Sequence, residues 1–484
     1  MSNVVTDYDV IIVGAGLSGI DAAYNIQTLC PGKTYTVLEG RDTMGGTWDL
    51  FRYPGIRSDS DMFTLGFPFS PWENPRAIAD GPSILKYIKD TAAKFGIDKH
   101  IQYNHRVAAA DWSDEKQQWT ISITPHTGVP ATTLTCRFLL MCSGYYDYDN
   151  GYLPHFDGYN DFKGRIVHPQ KWTPDIDYTN KKVVIIGSGA TAVTLVPELA
   201  RKADKVYMLQ RTPTFIMTLP GVDKVANFFQ SVLPTKAAYH VIRWKNILIS
   251  IGFYKASRRW PNVIRKFIQK EAQKQIGDNY NQKNFDPPYN PWDQRLCLVP
   301  DGDLFKSLKE GKAEVVTAHI ERFTPTGVQL KDGRHLDADL IVTATGLKVQ
   351  LLGGAKVSIN GMVPDTGAMH VYRGVMMSDV PNFAFTVGYT NASWTLKSDL
   401  SSRFITKVLN YMGKHNYKVC IPRYDATGYT SEPLLDFNAG YVLRANDKLP
   451  KQGSKHPWKV YQNYVRDLIS LEWEGADDKS LEYK

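Results

Sequence analysis

The apolar run Val10 to Val13 leads directly into Gly14-x-Gly16-x-x-Gly19, and a helical spacing of apolar residues continues to Cys30. A short unbroken apolar run ended by glycine predicts a strand buried on both faces, then a tight turn into a helix. Tyr35 to Leu38 predicts the next strand, which ends in Glu39. The same order recurs later in the chain. Val183 to Ile186 leads into Gly187-x-Gly189-x-x-Ala192, and a strand over Lys205 to Leu209 ends in Gln210-Arg211-Thr212. Between the copies, Trp119, Ile121 and Ile123 alternate with polar residues inside Trp112 to Thr124, the period-two pattern of a β-hairpin region. The chain then returns through Arg137 to Gly144. Residues 219–294 carry no strand periodicity and predict a helical insertion. The strand pattern resumes near Leu296 and closes over Ala338 to Gly346. Gly388-Tyr-Thr-Asn391 precedes a helical pattern from Leu400 to Met412, a helix start expected to face the ligand of the first glycine motif.

These elements predict an α/β chain with two Rossmann-like dinucleotide-binding domains and a helical insertion. The first domain is expected over 1–147 and again over 348–484, the second over 148–218 and 295–347, and the insertion over 219–294. One glycine-rich string arises easily by chance. Two copies, each between a buried strand and a helix, imply two dinucleotides that exchange a hydride. Without side chains at Gly14 and Gly16, backbone N–H groups reach a pyrophosphate at a helix N-terminus, whose partial positive charge adds to the attraction. Glu39 stands 20 residues after Gly19, the spacing at which a carboxylate accepts hydrogen bonds from a ribose diol. The second copy, with Gly187, Gly189, Thr191 and Thr212, has no acid at that place and offers Arg211. A guanidinium pairs with a 2′-phosphate that a carboxylate would repel. The first domain therefore reads as the FAD site and the second as the NADPH site.

Composition adds mainly exclusions. Hydrophobic residues at 43% and charged residues at 22% fit a globular protein with room for more than one core. The five cysteines include no C-x-x-C pair, which argues against a disulfide framework, a dithiol redox centre or a thiolate zinc site. Histidine spacing shows no H-E-x-x-H or similar ligand set, so no metal is expected. The first 20 residues lack the basic start of a signal peptide. The apolar stretch Ile247 to Tyr254 falls well short of the roughly 20 residues that span a bilayer, so a cytoplasmic protein is expected.

The net charge of +8 is concentrated. Lys236 to Lys270 holds nine basic residues and no acid, and without them the chain is close to neutral. No nucleic-acid-binding motif accompanies them. Interleaved aromatic and aliphatic residues, among them Tyr239, Trp244, Ile251, Trp260 and Phe267, suit helices lying on a membrane surface. The bland alternative is an amphipathic pair packed on the neighbouring domain with its basic face in water.

Phe162-x-Gly164-x-x-x-His168-x-x-x-Trp172, lying between the two copies, resembles the fingerprint of the class B flavoprotein monooxygenases, and within them of the Baeyer–Villiger monooxygenases. Thr173 follows Trp172 where that family commonly has Pro or Asp. Further likeness lies in Gly45-Gly46-Thr47-Trp48, continuing through Arg52-Tyr-Pro-Gly-Ile-Arg-Ser-Asp59, and in Asn290-Pro-Trp-Asp-Gln-Arg295. With Gly388-Tyr-Thr-Asn-Ala-Ser-Trp394, these wordings are most similar to the subgroup that activates the thioamide prodrug ethionamide. The resemblance implies roles residue by residue. Arg295 matches the arginine that sits over the flavin and stabilises its anionic peroxide, and Asp59 the acid that hydrogen-bonds to that arginine. Trp48 and Asp49 match a flavin-contacting loop, and Val107 a backbone contact to adenine. His168 and Trp172 match a linker that governs domain movement. Relatives often carry lysine before the arginine to grip NADPH, whereas Gln294 stands here, leaving more of that task to Arg211.

The activity so implied is an NADPH- and O2-dependent conversion of ketones to esters or lactones, with sulfoxidation of thioethers and thioamides as a side activity. A flavin-containing S- or N-oxygenase is the nearest alternative, and Trp172 favours the first, since the related oxygenases usually have Tyr or Phe there. A flavin disulfide reductase would need the missing C-x-x-C. A membrane-surface flavoprotein without oxygenase activity would leave both glycine fingerprints unexplained.

Overall fold

The computed structural model describes residues 7–125, 131–434 and 440–484. The expected first domain also includes residues 1–6, 126–130 and 435–439, which lie outside the described residues. The chain folds as α/β, around an eight-stranded sheet and a five-stranded sheet.

In the larger sheet the strand Tyr8–Val13 lies between Tyr35–Leu38 and the long strand Thr132–Met141, parallel to both. Val10, Ile11 and Ile12 are fully buried, as expected for a strand covered on both faces. The helix Leu17–Leu29 packs against the helix Trp394–Lys414, so the end of the chain closes over its beginning. Val107–Ser113, Gln118–Ile123 and Thr132–Met141 form an antiparallel meander. Trp112 and Trp119 are directly opposed and fully buried, with ring centroids 5.7 Å apart, so the alternating face read in the sequence is a core face. Two strands from much later complete the sheet. Lys356–Ile359 pairs with Val107–Ser113, and Phe383–Phe385 pairs with Thr132–Met141.

The smaller sheet is wholly parallel, in the order Ala313–Thr317, Lys205–Gln210, Lys182–Ile186, Leu340–Thr343 and Arg165–Val167. Parallel strands need crossovers, here the helix Ala190–Leu199 among others. The insertion is helical, over Lys224–Val232, Thr235–Arg259 and Pro261–Ile276. It begins later than residue 219, because Ile216–Leu219 is a strand that pairs with Cys297–Pro300 in a two-stranded parallel ribbon. That pairing joins segments on either side of the insertion, and local periodicity carries no sign of it. The helix expected over Leu400 to Met412 starts earlier, at Trp394. Its first turns hold Thr395, Lys397, Ser398 and Asp399, all buried, so no polar face marks them as helical.

The chain passes between the two nucleotide folds twice, and the two connections run side by side. Asp147 N donates to Lys348 O at 2.8 Å, Gln350 N to Tyr145 O at 3.0 Å and Tyr152 N to Gly346 O at 3.0 Å. An Asp147–Lys348 ion pair of 3.0 Å adds to the pairing. Burial pushes the Asp147 carboxyl up, but Lys348 and the N–H groups of Asp149 and Asn150 outweigh it and hold the carboxyl below its usual range.

Candidate functional site

The first glycine motif is shaped by close approach. Gly14 has φ +105°, and a Cβ there would stand 2.6 Å from the Cys142 carbonyl oxygen. A Cβ on Gly19 would come within 1.8 Å of Gly14 O, so the helix lies closer to the strand than any side chain allows. Glu39 is buried at the end of its strand. One carboxylate oxygen accepts from Ala15 N at 2.8 Å and the other from Arg41 N at 3.0 Å. Burial pushes this carboxyl up, while the two N–H donors work in the opposite direction. Each oxygen has lone pairs left to accept a ribose hydroxyl.

Gly14, Gly16 and Glu39 line a cavity of about 420 Å3, to which Thr47, Trp48, Asp59 and Val107 also contribute. From the second fold, Ala190, Thr194 and Arg295 face the same space. Arg295 Nη2 lies 2.5 Å from Asp59 Oδ2, and both side chains are about one-third exposed, at 37% and 32%. The expected cation and carboxylate therefore meet in a cleft bordered by both folds. Thr47 Oγ1 is 2.6 Å from the Tyr146 hydroxyl, which fixes the loop that carries Trp48.

The loops bearing this pair are held by the second fold and by the insertion. Arg57 forms an ion pair with Asp303, at 3.2 Å for its second contact. Asp61 caps the short helix Met62–Leu65 by accepting from Thr64 N at 3.0 Å, and it also accepts from Asn246 of the Thr235–Arg259 helix at 2.8 Å. Arg258, from that same helix, pairs with Asp293 at 2.5 Å, two residues before Arg295. One long helix thus anchors the chain beside both members of the pair.

Several expected site residues lie elsewhere. Asp49 does not line the cavity: it is buried, pairing with Arg41 and, at 3.0 Å, with Arg52. Asn391 turns its amide to Gln462 O at 3.0 Å and lines a separate small pocket with Ile247 and Tyr464. Ala392 and Trp394 take the place on the cavity wall that was expected of it. The second glycine motif follows Lys182–Ile186, the central strand of the smaller sheet. A Cβ on Gly187 (φ +140°) would stand 2.3 Å from Ala344 O, whereas a Cβ on Gly189 would meet nothing within 4 Å. The open face at Gly189 leaves room for a pyrophosphate against the Ala190–Leu199 helix. Arg211 is exposed, and Ser188 Oγ donates to Thr212 O at 3.0 Å. Thr191 hydrogen-bonds to Tyr53, whose hydroxyl burial pushes up to about 12, so this threonine links the two folds.

Of the fingerprint residues, His168 lies at the paired connections, beside Gly151 and Gly346, and the others lie within the second fold. Phe162 and Trp172 are buried in the second fold, Trp172 edge-on to Tyr178 with centroids 6.2 Å apart. A Cβ on Gly164 would stand 2.4 Å from Asp339 O. The His168 ring lies against Gly151 so closely that a Cβ there would overlap it, and burial pushes its pKa down. Gln170, inside the motif and missed in the sequence, donates to Asp147 O at 2.8 Å and to Tyr148 O at 2.7 Å.

Other lining residues were also missed. Tyr145 stacks on Trp394 with centroids 5.3 Å apart, and Trp394 Nε1 donates to Ser18 Oγ at 2.8 Å. Arg41 lines the cavity with a buried Nη1 that has no hydrogen-bond partner. An unpaired buried guanidinium N–H is costly unless an acceptor meets it, which fits a phosphate-bearing ligand. Its place two residues after Glu39 was the available signal. All five cysteines are buried and unpaired, and among the described residues no group of His, Cys, Asp or Glu is placed to hold a metal ion.

A cavity between two dinucleotide folds, with stacked aromatics and a fixed cation, belongs to a flavoprotein oxygenase in type, and the chain belongs to the flavin-binding monooxygenase-like family, whose match covers residues 7–412. It is similar to the FAD-containing monooxygenase EthA of Mycobacterium tuberculosis, 52% identical over 477 residues, covering 98% of this chain and 97% of that protein. It is also similar to the probable FAD-binding monooxygenase AlmA of Acinetobacter baylyi, at 46% identity over 477 residues, 98% of this chain and 96% of that one. Among solved structures, an oxidized steroid monooxygenase bound to NADP shares the fold, with a TM-score of 0.79 and 22% identity over 98% of this chain and 99% of that one.

Proposed function

We propose that this chain is an NADPH- and O2-dependent Baeyer–Villiger monooxygenase of the EthA-like subgroup. It holds FAD in the first fold and NADPH in the second, and converts ketones to esters or lactones. The observation that carries this reading is the Asp59–Arg295 contact in a cavity bordered by both folds. Bound and reduced, the flavin supplies activated oxygen for insertion beside a carbonyl. Gly14, Gly16 and Gly19 shape the backbone around the pyrophosphate, Glu39 takes the ribose, and Arg41 supplies the free N–H. Val107, Trp48 and Trp394 line the same cavity, where Val107 would border the adenine and the two tryptophans the ring.

Arg295 is a permanent cation, so it stabilises negative charge developing on the carbonyl oxygen during attack, whatever the pH of the site. Asp59 orients that guanidinium. Sulfoxidation of thioethers and thioamides is the side activity, in which the sulfur is itself the nucleophile and no carbonyl has to be polarised. The test is a panel of linear, cyclic and aryl ketones with one thioether, scored by mass for NADPH-dependent products. Esters or lactones are expected to dominate. Sulfoxide alone would replace this reading with an S-oxygenase.

Coenzyme choice is assigned to Arg211, with Thr212 at the same strand end. Arg211→Ala should lose most of the preference for NADPH over NADH. A charge-assisted contact to a 2′-phosphate contributes about 1.5–3 kcal/mol, roughly ten- to a hundred-fold in affinity. The NADPH and NADH Michaelis constants of the variant check this, and an unchanged ratio would move the phosphate site elsewhere.

A further inference from the structure

The insertion's three consecutive helices pack one on the next, and each leaves a stripe of large apolar side chains in solvent. Lys224–Val232 exposes Val225, Phe228 and Val232. Thr235–Arg259 exposes Val241, Trp244 and Leu248. Trp260 and the helix after it expose Trp260, Val263 and Phe267, at 57%, 65% and 50%. In every case the spacing is i, i+3, i+7, one face of a helix. A globular protein scatters such residues singly; three stripes on adjoining helices mark a surface that meets something apolar.

The charges around the stripes say what that is. No acidic residue occurs from Lys224 to Lys270. Four of the nine basic residues in Lys236 to Lys270 are already engaged: Arg243 is buried, and Lys245, Arg258 and Arg265 pair with Asp223, Asp293 and Asp286. Lys236, Lys255, Arg259, Lys266 and Lys270 stay exposed, with no ion pair among the described residues. Lys255 and Arg259 continue the Trp244–Leu248 face by helical spacing, and Lys266 and Lys270 continue the Val263–Phe267 face. Against a second copy of this chain, such a face would bring like charges together. Nucleic acid would leave the apolar stripes in water. A sheet of anionic headgroups over acyl chains satisfies both features.

We propose that this face docks on an anionic lipid surface, with the Trp260–Phe267 stripe entering the headgroup region and the five free cations holding it there. No helix among the described residues is long and apolar enough to cross a membrane, so attachment is peripheral. Docking does not depend on the reaction proposed above.

The test is co-sedimentation of the flavin-loaded protein with phosphatidylcholine vesicles and with vesicles containing phosphatidylglycerol, at low and high salt. Binding should require the anionic lipid and fall as salt rises. Lys266→Glu with Lys270→Glu should weaken it by roughly tenfold or more, and Trp260→Ser with Phe267→Ser should weaken it at every salt concentration. All four side chains are exposed, so oxygenation of a water-soluble ketone should be unchanged, and a failure of that activity in the parent protein would count only against the proposed reaction. Absence of vesicle binding, or equal binding by parent and variants, would overturn the proposal. So would a dimer, seen by sedimentation velocity, that the same substitutions dissolve while vesicles capture nothing.

Discussion

Arg295→Ala is expected to separate flavin reduction from oxygenation. Reduction needs the nicotinamide beside the flavin, which on the proposed reading the two glycine motifs and their helices would arrange without this side chain. Oxygen insertion needs a fixed cation beside the attacked carbonyl, and Arg295 is the cation that the cavity places against Asp59. Losing one such electrostatic donor costs about 2.7–4 kcal/mol, a factor of roughly 10² to 10³ in rate. The variant should bind FAD, accept hydride from NADPH, and release hydrogen peroxide in place of ester. Asp59→Ala should show the same divergence more mildly, because the cation remains and only its direction is lost. Anaerobic stopped-flow reduction, run beside an aerobic product assay, decides between the steps. Ester yield at the parent level in Arg295→Ala would remove this residue from the reaction.

The second large effect is expected far from the cavity. Arg243 lies within the strongly basic segment, and by sequence it reads as part of a solvated face, yet it is only 5% exposed. Its Nη1 donates to the carbonyls of Phe63, Thr64 and Gly66 at 3.0, 3.2 and 3.0 Å, closing the end of the helix that follows Asp59 and Asp61. Asp399 and Asp61 are the carboxylates that face it. Nearby, Asp21 is fully buried, and burial, with Asp399 adding to it, pushes that carboxyl well up. Arg243→Ala would strip the donor from three carbonyls and leave these acids without their buried cation. Breaking a buried charged arrangement from one side costs about 3–5 kcal/mol. At roughly 2–4 °C per kcal/mol for a domain of this size, Tm should fall by on the order of 10 °C. Lys270→Ala, an exposed change on the next helix, should stay within about 0.5 kcal/mol of the parent. Thermal unfolding followed by flavin release would report both, and equal Tm values would return Arg243 to the surface.

That contrast shows which parts of the molecule the chain advertises. Period and punctuation are local, so Val10 to Val13, the Trp119–Ile123 alternation and both glycine turns could be read directly. The Arg295–Asp59 contact was legible only through family likeness, because nothing local joins residues so far apart. Burial without periodicity hid the first turns of the Trp394 helix. Pairing across the insertion hid the Ile216–Leu219 strand. Arg243 was misjudged because a charge inside a basic run carries no mark of the three carbonyls it caps. Asn391 was placed by its neighbours in the motif, and its amide instead meets a segment some seventy residues away.

The order of strands in the larger sheet has a consequence for biosynthesis. All five strands of the smaller sheet lie between Arg165 and Thr343, so the second nucleotide fold is complete in sequence before Lys356 is made. The first fold begins earlier and finishes later. Until Lys356–Ile359 and Phe383–Phe385 emerge, the strands Val107–Ser113 and Thr132–Met141 each present an unpaired edge. At about 5–20 residues per second, that interval lasts on the order of ten seconds or more. A nascent chain paused there carries exposed strand edges that invite pairing with a neighbour. Slow codons between 141 and 383 would lengthen the exposure, and a chaperone that covers β-edges would act on this protein before its flavin can bind.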